Sequence, residues 1–181
     1  MLQEITQILK SKDTSDYNLG WEVVNQGYLT NEEYLELLDG LKKAGDSLYL
    51  NNIPITSLPD GLKVGGYLNL YNTKIISLPN GLEIGDYLNL YDTPITSLPN
   101  GLRVGGDLNL NNTPITSLPD RLKVGGNLYL SNTPITSLPN GLKVGGYLNL
   151  YNTLLSKKYS EDEIRQMIED RGGYVKGGIY S

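Results

Sequence analysis

Tyrosine and asparagine are the residues of this chain whose placement could do chemistry, because they return at fixed intervals. Three sets of positions recur every twenty residues between 47 and 151. The first is Ser47, Tyr67, Tyr87, Asp107, Asn127 and Tyr147; the second is Tyr49, Asn69, Asn89, Asn109, Tyr129 and Asn149; the third is Asn51, Tyr71, Tyr91, Asn111, Ser131 and Tyr151. Fifteen of the eighteen are Tyr or Asn, and none is Lys, Arg or Glu. A tyrosine ring supplies rigid contact area with a hydrogen-bonding tip, and an asparagine amide both donates and accepts, which is chemistry for recognition. Acid–base or nucleophilic catalysis needs convergent titratable groups, and these sets hold only Asp107. His and Cys are absent, which removes imidazole bases, thiolates, disulfides and the usual zinc, copper and haem ligands. The expectation is a protein that is not an enzyme and holds neither metal nor cofactor.

Such columns need a scaffold that repeats with them. From Leu48 the chain follows L-x-L-x-x-T-P-I-T-S-L-P-x-G-L-x-V-G-G-x, shown whole by Leu88 to Asp107; five copies run to 147, and Leu148-Asn149-Leu150 starts a sixth. Leucines two apart point to one face of an extended strand, so the core lies on that face and the Tyr/Asn columns on the other. Proline after Thr93, Thr113 or Thr133 stops the strand by removing a ladder donor. The return leg, as in Ser97 to Leu102, holds Pro and Gly too close together for a helix, so it is expected to be extended, polyproline-like or a single 3₁₀ turn. The Gly-Gly pairs at 65–66, 105–106, 125–126 and 145–146 are expected to permit a backbone reversal. One coil buries nothing alone; stacking places strands side by side about 4.8 Å apart and layers leucine on leucine.

The run Leu68-Asn69-Leu70-Tyr71-Asn72-Thr73-Lys74-Ile75 resembles the conserved segment of the leucine-rich repeat, and the Leu-Pro-x-x-Leu after it is similar to the short variety found in bacterial effectors and phage proteins. The resemblance spans residues 48–153. It implies an α/β, right-handed solenoid with a parallel concave sheet of about six strands and a mostly non-helical convex side, in a family used mainly for protein recognition. The chain departs from the family where Thr replaces the usual buried Asn of the turn; a threonine hydroxyl satisfies a nearby backbone group instead.

Both ends of the solenoid need covering. Residues 1–47 read as a helical cap, with a capping box at Thr30 to Glu33 and Tyr34, Leu37, Leu38 and Leu41 on one helical face. An earlier helix is expected over 2–11, with Trp21 and Val23-Val24 buried between the pieces. Asp39-Gly40-Leu41-Lys42 echoes Asp60-Gly61-Leu62-Lys63, so a degenerate return leg should follow. Residues 154–181 read as a second cap: a capping box at Ser160 to Glu163, a helix closed by Gly172-Gly173, then a short strand or hairpin over Tyr174 to Tyr180.

The formal charge of −5 is uneven: residues 1–47 carry 4 Lys+Arg against 9 Asp+Glu, while 48–153 carry 6 of each and 154–181 carry 5 of each. Nucleic acid is disfavoured as a partner, because sequence-blind affinity for it comes from clustered Lys and Arg. The start lacks a basic and then apolar stretch, and no apolar run is long enough to span a membrane, so the expected location is the cytoplasm, a host cytoplasm if the chain is phage-encoded. A virion location or export by another route stays open.

The expected function is binding of a partner protein through Tyr49, Tyr67, Asn69, Tyr71, Tyr87, Asn89, Tyr91, Asp107, Asn109, Asn127, Tyr129, Tyr147, Asn149 and Tyr151. The resemblance adds the idea of a phage or bacterial inhibitor or effector acting on a host protein. Carbohydrate binding and a structural, virion-associated role are the alternatives. Six strands by three residues give a footprint well under the ~800 Å² that each partner contributes to a standard interface, so a cap, a loop edge or self-association should complete the contact.

Overall fold

A computed structural model describes residues 47–52 and 54–181, together with the backbone of Lys43–Ala44. The helices expected in 1–41, and the burial of Trp21 and Val23-Val24, lie outside the described residues. From there on the chain is a parallel β-solenoid that advances one coil every twenty residues.

Each coil contributes a strand to each of two parallel sheets. One sheet is built on the Leu-x-Leu segments: β2 (Leu48–Tyr49), β4 (Leu68–Asn69), β6 (Leu88–Asn89), β8 (Leu108–Asn109), β10 (Leu128–Tyr129), β12 (Leu148–Asn149) and β14 (Ile179–Tyr180). The other is β1 (Lys43–Ala44), β3 (Lys63–Val64), β5 (Glu83–Ile84), β7 (Arg103–Val104), β9 (Lys123–Val124), β11 (Lys143–Val144) and β13 (Tyr174–Val175). A single sheet was expected; the end of the return leg forms a second. It is two residues long because a turn with left-handed Gly61, Gly81 or Gly101 comes just before it and a glycine bend follows it.

The interior is one continuous aliphatic stack. Leu68, Leu88 and Leu108 are fully buried, as are Leu70, Leu90 and Leu110 behind them and Ile75, Ile95 and Ile115 after the turn. Val64, Ile84, Val104, Val124 and Val144 enter the same core from the second sheet. Thr73, Thr93, Thr113 and Thr133 are buried too, and each hydroxyl donates to the carbonyl three residues earlier, Thr93 Oγ1 to Leu90 O at 2.7 Å. The threonine therefore closes its own turn, while the contact between coils passes to the residue before it. Asn52, Asn72, Asn112, Asn132 and Asn152 hold left-handed backbone there, a conformation Asn tolerates better than most residues. Asn132 Nδ2 reaches Asn112 Oδ1 at 2.7 Å and Asn152 Nδ2 reaches Asn132 Oδ1 at 2.8 Å.

The chain bends at the Gly-Gly pairs, between the strands of the two sheets, but without left-handed backbone. Left-handed glycines are Gly61, Gly81, Gly101 and Gly141 in the preceding turn, where Arg121 adopts the same conformation at φ 60. In the pairs, a Cβ on Gly105, Gly125 or Gly145 would overlap the carbonyl oxygen of the glycine one coil earlier. Close approach of stacked backbones, not backbone freedom, requires glycine there.

The C-terminal segment completes the sixth coil and adds a seventh strand at Ile179 rather than forming a separate lid. Leu155 N bonds Ile135 O at 3.1 Å, so the coil begins in register. Helix α1 (Glu161–Asp170) then replaces the return leg and buries Ile164 and Ile168; Ser160 and Glu163 form the expected capping box. The hairpin alternative fails: Tyr174 pairs with Lys143 in one sheet and Ile179 with Leu148 in the other. The strand β1 lies inside the segment expected to be all cap, and it pairs Lys43 with Lys63 at a spacing of twenty, one residue off the register of the Asp39 to Lys42 echo. Among the described residues no helix is long and apolar enough to cross a membrane.

Candidate functional site

The outward face of the Leu-x-Leu sheet carries the Tyr/Asn columns. Parallel pairing in register stacks Tyr49 on Asn69, Asn89 on Asn109, and Tyr129 on Asn149. All fourteen residues expected to bind a partner show exposure, Tyr151 most at 65%. Ser131, from the third column, is buried instead, its hydroxyl donating to Asn149 Oδ1 at 2.9 Å.

The second-column asparagines are committed in part to the scaffold. Asn69, Asn89, Asn109 and Asn149 each accept the backbone N–H two residues on, at 2.9–3.1 Å. Asn89 Nδ2 donates to Asn69 Oδ1 at 3.1 Å. What the face presents is tyrosine. Tyr67 and Tyr87 meet edge to face at 6.1 Å, and Tyr71 and Tyr91 lie tilted at 5.4 Å.

Around Asp107 the repeat pattern breaks and the departures converge. Asp107 Oδ1 accepts Asn127 N at 2.7 Å, and Oδ2 accepts Asn127 Nδ2 at 3.2 Å and the Tyr129 hydroxyl at 3.4 Å. Tyr147 donates to the Tyr129 hydroxyl at 2.6 Å. The rings of Tyr129 and Tyr147 meet edge to face at 5.4 Å, and Tyr147 meets Tyr180 in the same way. Burial pushes the Tyr129 phenol far above its ordinary range; the Tyr147 hydrogen bond and the Asp107 charge add to this, and the Asn127 hydrogen bond opposes it. Tyr87 is raised as well, by burial first, against its Asn109 hydrogen bond and with the Asp107 charge. The result is one carboxylate set among neutral phenols, a surface that hydrogen-bonds and attracts a cation over its rings.

Tyr180 was missed at the level of sequence. Its signal was the run Val175-Lys176-Gly177-Gly178-Ile179, a worn copy of Val144-Gly145-Gly146-Tyr147-Leu148 hidden by the inserted helix. Among the described residues no cluster of three or more Asp or Glu is arranged to hold a metal ion. Comparison with protein-family models, with curated proteins and with solved structures gives no match.

Proposed function

We propose that this chain is a protein-recognition solenoid of the leucine-rich-repeat kind, which binds its partner on the tyrosine face and anchors a basic side chain of that partner at Asp107. The observation that carries the reading is the convergence of the departures from the repeat, Asp107, Asn127 and Tyr129, with Tyr147 and Tyr180 in one patch. A copied face would show the same residues on every rung; here Asp107, Asn127 and Tyr129 depart from the pattern on adjacent rungs and bond one another. Tyrosine rings ordered by neighbours lose little entropy on binding, and a lone carboxylate ringed by phenols prefers an arginine or lysine to any neutral group.

The test uses the chain as bait for its native cell extract, in parallel with Asp107→Asn and with Tyr129→Ala/Tyr147→Ala. Asp107→Asn keeps the shape and removes the charge, and it leaves one oxygen in place of two to accept from Asn127 and Tyr129. A partner retained by the parent chain and weakened about tenfold or more by each variant supports the anchor, as expected for loss of a charge-assisted contact. Equal retention by all three baits overturns it.

A further inference from the structure

The second sheet has an outward column of its own: Lys63, Glu83, Arg103, Lys123, Lys143 and Tyr174, held in register by parallel pairing. The charge balance of the repeats, even when summed, is uneven in space. Lys63 and Glu83 form an ion pair at 2.8 Å, and beyond it Arg103, Lys123 and Lys143 stand on successive rungs with no ion pair among the described residues. Three like charges one rung apart repel each other. A solvated sheet face relieves this by alternating signs, as the first two rungs do.

Beside the cations runs a groove of about 500 Å³, lined by Arg103, Lys123, Lys143, Lys176 and the ring of Tyr174. Its floor is Gly85, Gly105, Gly125 and Gly145, where packing against the preceding coil admits no side chain. The groove thus runs across the strands, along the solenoid. Tyr174, 41% exposed, lies within 5.7 Å of the Lys143 ammonium and 6.0 Å of that of Lys176.

We propose that this groove binds a linear acidic polysaccharide laid along the solenoid axis, its carboxylates met by Arg103, Lys123, Lys143 and Lys176. The rungs lie about 4.8 Å apart, close to the length one sugar adds to an extended chain, so a polymer with one carboxylate per sugar has a linear charge density comparable to that of the stripe. Single-stranded nucleic acid would call for a ring under each base, and this face has one ring at its end. A recognised peptide strand would call for side-chain walls that separate its alternate residues, and no side chain rises from the glycine floor. Tyr174 is placed to stack on a sugar at one end of the groove.

Titration calorimetry with a long oligogalacturonate tests this, set against an uncharged oligosaccharide, oligothymidylate and polyglutamate at the same ionic strength. The wild-type chain should bind oligogalacturonate most tightly, and binding should weaken as salt rises. Arg103→Gln/Lys123→Gln/Lys143→Gln should weaken it at least about tenfold, as counterion release across three contacts predicts. Lys74→Gln/Lys157→Gln/Lys158→Gln removes the same charge elsewhere and should change it less than about twofold. Circular dichroism confirms that both variants fold. No binding by the wild type, equal loss in both variants, or tighter binding of oligothymidylate or polyglutamate overturns the proposal. None of these variants touches the tyrosine face, so failure here leaves the Asp107 anchor standing.

Discussion

At the scale of single residues, the tyrosine face is fixed by which groups the scaffold has already used. Asn69, Asn89, Asn109 and Asn149 bond the backbone two residues on. Tyr129 is held between Asp107 and Tyr147 as a neutral phenol, its pKa raised chiefly by burial. The sign of the pH effect follows from that direction. The folded state keeps the Tyr129 proton where the unfolded chain, with an ordinary phenol near pH ~10, releases it. Above that pH the native state binds more protons than the unfolded one, so stability is whole below the unfolded pKa and falls as pH rises toward the folded one. Urea denaturation from neutral pH to strongly alkaline solution should show this fall, and Tyr129→Phe should make it shallower. An identical slope in the variant would mean that another group carries the alkaline transition.

At the scale of elements, the last helix imitates a coil that is not there. In the second sheet each coil donates backwards, Gly145 N to Val124 O and Lys176 N to Val144 O, so the final strand offers carbonyls to whatever comes next. Arg165 of α1 takes two of them, Nη1 to Val175 O and Nη2 to Gly177 O, both at 2.9 Å. In the Leu-x-Leu sheet the direction is opposite, Leu150 N to Tyr180 O, so the last strand offers N–H groups; Glu161 Oε1 accepts that of Ser181 at 3.3 Å. A donor and an acceptor four residues apart on one helix thus close two edges of opposite polarity, which guards against edge-to-edge pairing. Arg165→Ala should uncover the carbonyls, lower stability by about 1–3 kcal/mol, and give concentration-dependent association by sedimentation. A variant that stays monomeric at every concentration would show that the helix body alone suffices. Sequence could give the helix and its capping box, because both signals are local. It could not give the second sheet: Lys63–Val64 or Arg103–Val104 is too short to show a period of two, and its partners lie twenty residues away. The close of the sixth coil was hidden for a related reason, since Tyr174 pairs with Lys143 across thirty-one residues and a twenty-residue frame steps past it.

At the scale of the whole molecule, the leucine columns and the outward tyrosines were legible because a strict repeat carries one local pattern through every coil. The cationic stripe was not, because a sum over the repeats is zero while its members sit on one face. Modularity makes both faces testable by removing coils. Each coil contacts its neighbours through like residues in register, so deletion of residues 68–87 should let Leu48 to Tyr67 dock directly on the coil that starts at Leu88. The denaturant m-value should fall by about one ninth, the share of 20 residues in 181, and unfolding should stay cooperative. The deletion keeps Asp107, Asn127, Tyr129 and Tyr147 and puts Tyr67 in the place of Tyr87 beside them, so partner capture should survive. It also removes Glu83 and sets Lys63 next to Arg103, which lengthens the cation column by a rung and should tighten oligogalacturonate binding. Deletion of residues 108–127 takes away the same number of residues but removes Asn127 from one face and Lys123 from the other. Both activities should weaken in that second chain while its stability matches the first. If the two deletions instead behave alike in binding, the Asp107 patch and the cation stripe are passengers of the repeat, and recognition belongs to surfaces outside these coils.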